Sequence, residues 1–286
     1  MHLKLLIQYD GTHFAGSQLQ PQAQGRTVQG ELEKAVARIA GRPVRIALAG
    51  RTDSGVHALG QVASLDFPER AGLHTPQAVQ RALNALLPPD LAVTGAEEVS
   101  PNFHARFSAS RRAYRYLIWN CLWPAPLLAR YSLHVQHELD LEAMARAASR
   151  LQGTHDLAAF AGQGMGVPEA ADDVDEDEGR GRAPTVRTIY SAKFIALDPS
   201  ADRWLWDAPA TAQQHPAYGT GRLLALDLVA NAFLPHMVRA IVGTLLEVGS
   251  GKRSVDDISA IIESRDRRLA GPTAKPHGLC LLWVEY

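Results

Sequence analysis

Cysteine is nearly absent from this chain of 286 residues: Cys121 and Cys280 are its only two, far apart and each in an apolar, strand-like run. So placed, they read as buried free thiols of a reducing compartment rather than a disulfide framework. Long apolar runs are missing as well, and without about 18 consecutive apolar residues no segment reads as a transmembrane helix. The opening MHLKLLIQYD meets Gln8 and Asp10 too soon for a signal-peptide core, so the expected address is the cytoplasm. Cofactor and metal signatures are lacking: there is no Gly-x-Gly-x-x-Gly turn, no P-loop and no Cys/His ligand cluster. Neither sign of charge dominates, with a net charge of −1. Residues 169–178 nevertheless hold seven acids and no base, so the remainder is net positive, with arginines gathered at 106, 111, 112 and 115. An acidic loop then masks a modest basic face, which leaves a polyanionic partner open.

What is present is a globular composition, 46% hydrophobic and 21% charged. Leu3, Leu5, Ile7 and Tyr9 alternate, predicting a strand with one buried face. Leu32, Val36 and Ile39 share a helical face over 28–40, with Thr27 as N-cap. Val44, Ile46 and Leu48 alternate again, as do Ala63, Leu65 and Phe67. Thr75-Pro76 opens a second helix whose inner face is Val79, Leu83 and Leu86, and an apolar run at 91–99 closes the unit. The order β-α-β-β-α-β is the split-βαβ arrangement, with helices on one side of an antiparallel sheet.

The second half repeats the order with longer connections. A strand is expected at 112–120 and a helix at 140–151 capped by Asp140. Strands follow at 185–197 and 222–230, then helices at 235–249 and 254–263, the latter opened by a box around Ser254 and Asp257. The closing strand, 279–286, is apolar on both faces and so expected to be central. The fold class is α+β, in two similar lobes at 1–108 and 109–286, sharing a mainly antiparallel sheet with a cleft. Two segments fall outside this core: the acidic insert 162–183, read as a solvated loop, and the extension 198–221. Trp204 and Trp206 in the latter pack either on the protein or on a partner.

Chemistry concentrates between two of the predicted strands. Gly50 and Gly55 allow a sharp turn and close approach of a ligand, and between them Arg51 and Asp53 share a side of an extended loop. A guanidinium beside a carboxylate keeps it ionised and oriented, which suits nucleophilic attack or proton abstraction. On spacing alone, a hairpin loop with a surface ion pair is the favoured reading.

The residues Gly50-Arg51-Thr52-Asp53-Ser54-Gly55-Val56-His57-Ala58 resemble the signature loop of the TruA-type tRNA pseudouridine synthases. Five further blocks follow in the family's order. They are Tyr9-Asp10-Gly11-Thr12-His13-Phe14-Ala15-Gly16, the block from Asn102 to Ala109, Arg112-Ala113-Tyr114-Arg115-Tyr116, the segment from Asn231 through Arg239 to Gly243, and Gly278-Leu279. The resemblance implies the pseudouridine synthase fold, two ferredoxin-like lobes around an RNA-binding cleft, and Asp53 as the catalytic carboxylate. It also implies Tyr114 as the active-site tyrosine and Arg239 as a partner of Asp53. The reaction implied is isomerisation of uridine to pseudouridine at positions 38, 39 and 40 of tRNA, by a homodimer. Uridine and pseudouridine are isomers, so no cofactor or metal is required. The target nucleotide must be flipped out of its stack, which Arg51 is placed to assist.

His57, His104, Arg106, Arg111, Arg112 and Arg115 are the candidate substrate contacts, the arginines through phosphates; His57 and His104 read equally as structural. The chain departs from the family's pattern at Ser17, where tryptophan is usual, at Leu157 in place of phenylalanine, and at Pro235 ahead of His236. Two other readings stay open. One is a non-catalytic RNA-binding protein on the same scaffold. The other is an aspartate-nucleophile hydrolase or phosphotransferase, which would want more carboxylates near Asp53 to hold Mg²⁺.

Overall fold

The computed structural model describes residues 1–19, 25–68, 72–162, 185–197 and 221–286. The acidic insert and the extension with Trp204 and Trp206 lie outside the described residues, apart from Gly162 and Gly221. The strands are β1 (His2–Tyr9), β2 (Ala47–Leu48), β3 (His57–Asp66), β4 (Leu91–Glu98), β5 (Arg111–Asn120), β6 (Leu133–Val135), β7 (Gly153–Asp156), β8 (Val186–Leu197), β9 (Arg222–Ala230) and β10 (Leu279–Glu285). The helices are α1 (Val28–Ala40), α2 (Pro76–Asn84), α3 (Leu141–Ser149), α4 (Met237–Gly249) and α5 (Asp257–Ser264). The class is α+β. Among the described residues no helix is long and apolar enough to cross a membrane.

The chain forms two compact units: Met1–Arg115 with Arg130–Ser132 and Pro276–Tyr286, and Tyr116–Ala129 with Leu133–Lys275. In the first, β1 pairs antiparallel with β3 and with β4, and β2 pairs antiparallel with the far end of β3. Leu3, Leu5, Ile7 and Tyr9 are all buried on one face, as their alternation predicts. Across the pairing sit Leu65, Ala63 and Gln61. Each such apolar side chain contributes about 1.5–3 kcal/mol when fully buried. Thr27 and Thr75 cap α1 and α2 by accepting from the backbone N–H groups of Gly30 and Ala78. The β1–β4 register shifts between Leu6 and Ile7, and Asn84 of α2 patches the irregularity by bonding both N–H and C=O of Val93 at 2.8 Å.

Three readings needed correction. The strand expected over 44–48 shrinks to Ala47–Leu48. β3 starts at His57, earlier than its alternating core implied, so the signature loop runs straight into it. β10 is central as expected, running parallel to β3 and lying between β3 and the first half of β5. Only its first half is buried, however: Leu279 and Leu281 are inside while Trp283 is 40% exposed.

In the second unit, β9 pairs antiparallel with β8, and β8 with β7. The second half of β5 pairs parallel with β6. Neither β6 nor β7 was expected; both are too short to show a period. Asp140 caps α3 through Ala143 N–H, as read. α5 starts three residues later than read, yet Ser254 and Asp257 do make the reciprocal box bonds ahead of it. α4 is buried nearly all round, from Met237 to Val248, which marks it as the central helix. A Cβ at Gly243 on α4 would lie 1.6 Å from the carbonyl oxygen of Pro272, so the segment after α5 rests on bare helix backbone. Substituting Gly243→Ala is expected to cost about 1–3 kcal/mol through overpacking. A lower urea midpoint at unchanged slope would show it, and an unchanged midpoint would contradict that packing.

Candidate active site

The loop between β2 and β3 is fixed from three directions, and each hold is a buried polar contact. Ser17 and Thr52 clasp each other: Thr52 N–H donates to Ser17 Oγ at 2.8 Å, and Ser17 N–H donates to Thr52 O at 3.0 Å. Thr52 Oγ1 also meets the Tyr9 hydroxyl at 2.8 Å. Gln61, fully buried on β3, donates to Gly50 O at 2.9 Å and to the Tyr9 hydroxyl at 3.4 Å. Beyond Thr52, Val56 N–H donates to Asp53 O and Ser54 Oγ to Phe14 O. Gly55 takes the left-handed conformation, φ 79°, that lets this turn close. Gly50, expected to do the same, does not. Gly11 is another position where only glycine fits, since a Cβ there would stand 2.0 Å from Val56 O.

Asp53 thus sits on a backbone hydrogen-bonded on both sides and is itself half-buried. Its charge is felt at Tyr114, whose hydroxyl lies 4.0 Å from where a Gly50 Cβ would be. Burial pushes the Tyr114 hydroxyl well above the ordinary tyrosine range, and the neighbouring Tyr9 and Asp53 push it further. The sequence-predicted pair of Asp53 and Tyr114 is therefore brought together in one unit. Arg51 is exposed at the lip of the same loop.

The other predicted site residues divide. His57 is buried, with both ring nitrogens occupied. Gly11 N–H donates to Nδ1, so the neutral ring's proton is on Nε2, which faces the carbonyl oxygens of Arg130 (2.9 Å) and His277 (3.1 Å). Its expected role as a substrate contact gives way to that of an internal strut, the structural alternative. Asp10, 3.2 Å from Nδ1, also accepts from Thr12 and the Tyr131 hydroxyl. Partial burial opposes its ionisation, but the hydrogen bonds from Thr12 and Tyr131 outweigh it and hold the carboxyl below its usual value.

Arg112 likewise turns inward. Its guanidinium donates to the carbonyls of Arg106 (2.8 Å), Ala109 (3.2 Å) and Ala49 (3.4 Å), the fork geometry an arginine supplies. It is a backbone tie, not an outward phosphate contact. His104 Nδ1 accepts the N–H groups of Arg106 and Phe107 and so shapes its own turn. Arg106 and Arg111 are exposed, Arg111 lying 3.6 Å from Glu285. Arg115 is half-buried, its charge reaching Cys280.

Arg239 belongs to the second unit, where its Nε donates to Ala274 O at 2.7 Å and its charge reaches Tyr116. With His236, Arg267 and Arg268 it lines a cavity of about 510 Å³. His236 holds the left-handed φ of 60° just ahead of α4, a strained choice for a residue with a side chain. Asp156, at the end of β7, bonds Thr185 and lies 3.0 Å from Arg265, a structural role. Among the described residues no group of three His, Cys, Asp or Glu is arranged to hold a metal ion.

Sequence reasoning missed Ser17, Thr52, Tyr9 and Gln61 as a unit. The signal was there: Gln61 is a polar residue in an otherwise apolar strand, and such a residue, if buried, needs partners. Removing Ser17 Oγ by Ser17→Ala leaves the Thr52 N–H buried and unpaired. The expected loss is about 1–3 kcal/mol, read as a lowered melting temperature. An unchanged melt would show that the clasp is not closed.

Burial also pushes the Tyr9 hydroxyl up to about 12, partly offset by its bonds to Thr52 and Gln61, and the Cys280 thiol up to about 11. The folded chain then keeps protons that the unfolded chain releases from its ordinary values of 9.0 and 10.0. Stability is therefore complete below pH 9 and falls as pH rises toward 12. Denaturant midpoints taken at pH 8, 10 and 11 should decline in that order.

A family model described as tRNA pseudouridine synthase matches residues 5–108 and 147–286, which include the Asp53 loop and the Arg239 helix. Tyr114 falls between the two matched stretches. The chain is 45% identical to a tRNA pseudouridine synthase A of Chloroflexus aurantiacus, over 99% of its own length and 88% of the relative's. It is 40% identical to proteins of the same name from Moorella thermoacetica and from a Geobacillus species, covering 99% of itself in each case and 99% and 98% of the relatives. A match of that extent, over a chain whose signature loop is built as a rigid carboxylate mount, places this protein in the tRNA pseudouridine synthase family.

Proposed function

We propose that this chain isomerises uridine to pseudouridine at positions 38, 39 and 40 in the anticodon arm of tRNA, with Asp53 as the catalytic carboxylate. The observation that carries the reading is the clamped backbone at Thr52, which delivers Asp53 half-buried beside Tyr114. The reaction breaks the bond from ribose C1′ to N1 of uracil, turns the base and joins C1′ to C5. The proton lost from C5 is balanced by one gained at N1, so no oxidant, reductant or co-substrate is consumed. Asp53 acts as nucleophile or as base.

Tyr114 keeps its proton, because its surroundings disfavour the phenolate. Only 8% exposed, it offers little ring face for a base to stack on. Arg51, exposed at the lip, is placed to hold the RNA strand where the flipped nucleotide left it; flipping costs a few kcal/mol. Exposed Arg106 and Arg111 supply phosphate contacts. Arg239 joins the set on the resemblance of its helix alone. The wider fold is read as two ferredoxin-like lobes, a reading supported by the β-α-β-β-α-β order of the first unit. The working form is a homodimer in the cytoplasm, and no metal or cofactor is required.

Asp53→Asn is expected to lower conversion of unmodified tRNA by about 10³-fold or more while leaving RNA affinity intact. Pseudouridine mapping and filter binding on the same variant check both halves. Conversion retained by Asp53→Asn would remove Asp53 from the chemistry. A wild-type chain that binds tRNA but converts none would be an RNA-binding protein on this scaffold.

A further inference from the structure

The turn over residues 102–109 is tied down on every side and yet holds a phenylalanine out in water. His104 N–H donates to Ser108 Oγ, and Ser108 N–H returns to His104 O. His104 Nδ1 takes two more N–H groups. Ala105 is fully buried, its N–H bonded to Ser64 Oγ and its C=O to the Tyr286 hydroxyl. Arg112 ties down the carbonyls of Arg106 and Ala109. A turn fixed so thoroughly presents its outward side chains in fixed positions. Phe107 is one of them, 64% exposed.

A single exposed apolar residue is ordinary on a protein surface and needs no explanation. Phe107 differs in its company. The His104 ring lies 4.4 Å from its own, centroid to centroid, and the Arg106 guanidinium stands 5.6 Å over it. Its chain neighbours are Arg106 and Ser108, not further apolar residues, so the turn offers no contiguous apolar run for a protein partner. An aromatic face beside a guanidinium is instead what an unstacked nucleobase and its phosphate require: a π-surface for the base and a cation for the backbone.

The same turn is linked to the catalytic loop. The Arg112 guanidinium that ties the Arg106 and Ala109 carbonyls also reaches Ala49 O, one residue before Gly50. We propose that Phe107, with Arg106 and His104, is a stacking platform for an unpaired nucleobase of the RNA substrate, and that Arg112 sets its register to the Asp53 loop. This deepens the pseudouridine synthase reading and rests on it.

Phe107→Ala tests it, with unmodified tRNA transcript as the probe. Loss of one stacked base raises the Kd by about 5- to 150-fold. The melting temperature stays within experimental scatter, because an exposed ring supports little of the fold. Phe107→Trp restores binding, which a merely structural role would not predict. Arg106→Gln lowers the slope of log affinity against log salt by about one contact. Wild-type affinity in Phe107→Ala would overturn the proposal, and so would a fall in the variant's oligomeric mass, which would make Phe107 a contact between copies of this chain. Wild-type protein that neither binds nor converts tRNA would sink this proposal and the functional reading together, whereas intact wild-type conversion with an inert Phe107 sinks the platform alone.

Discussion

Two hydrogen bonds between Ser17 and Thr52 hold the rest in place. They fix both backbone polar groups of the residue just before Asp53, and the Tyr9 hydroxyl fixes its side chain. A carboxylate that must meet one atom of a substrate gains little from acidity and much from position, since small displacements in an active site cost large factors in rate. The clasp is buried, so none of its members can exchange its partner for water. Gly11 and Gln61 follow from the same requirement: one lets the N-terminal segment lie directly on Val56, the other anchors Gly50 from the strand behind. The serine at position 17 is therefore part of the mount for the Asp53 loop, not a gap left by a missing tryptophan.

The basic residues divide by what their donors reach. His57 and Arg112 spend theirs on carbonyl groups of the chain and join segments distant in sequence. Arg51 and Arg106 stay at the surface, where a polyanion can reach them. Composition cannot separate these roles, because a guanidinium satisfies a backbone carbonyl and a phosphate with the same fork of N–H groups. The result is a first unit whose internal basic side chains brace the loop and whose external ones face solvent.

Local signals survived the passage from sequence to structure. Thr27, Thr75 and Asp140 each cap the helix they were expected to cap, because a cap depends on three or four neighbouring residues. The inward face of β1 was legible for the same reason. Harder to read were features set by distant partners. The start of β3 at His57 depends on contacts with Gly11, Arg130 and His277, none of them visible in a local period. The half-exposed end of β10 and the short β6 and β7 are likewise tertiary outcomes. Of the candidate site, Asp53 and Tyr114 were proposed on a resemblance, and the structure adds that Tyr114 feels the charge of Asp53. What no pattern could show was that Ser17, Thr52, Tyr9 and Gln61 are one assembly, or that Phe107 is left outside.

Joining ribose C1′ to C5 of uracil must expel the hydrogen at C5, whatever the part Asp53 takes in the step. With tRNA carrying tritium at C5 of its uridines, the wild-type protein should release the label from positions 38, 39 and 40 to solvent, one equivalent per pseudouridine formed. Bound tRNA that keeps all its tritium through a long single-turnover incubation would contradict the assignment.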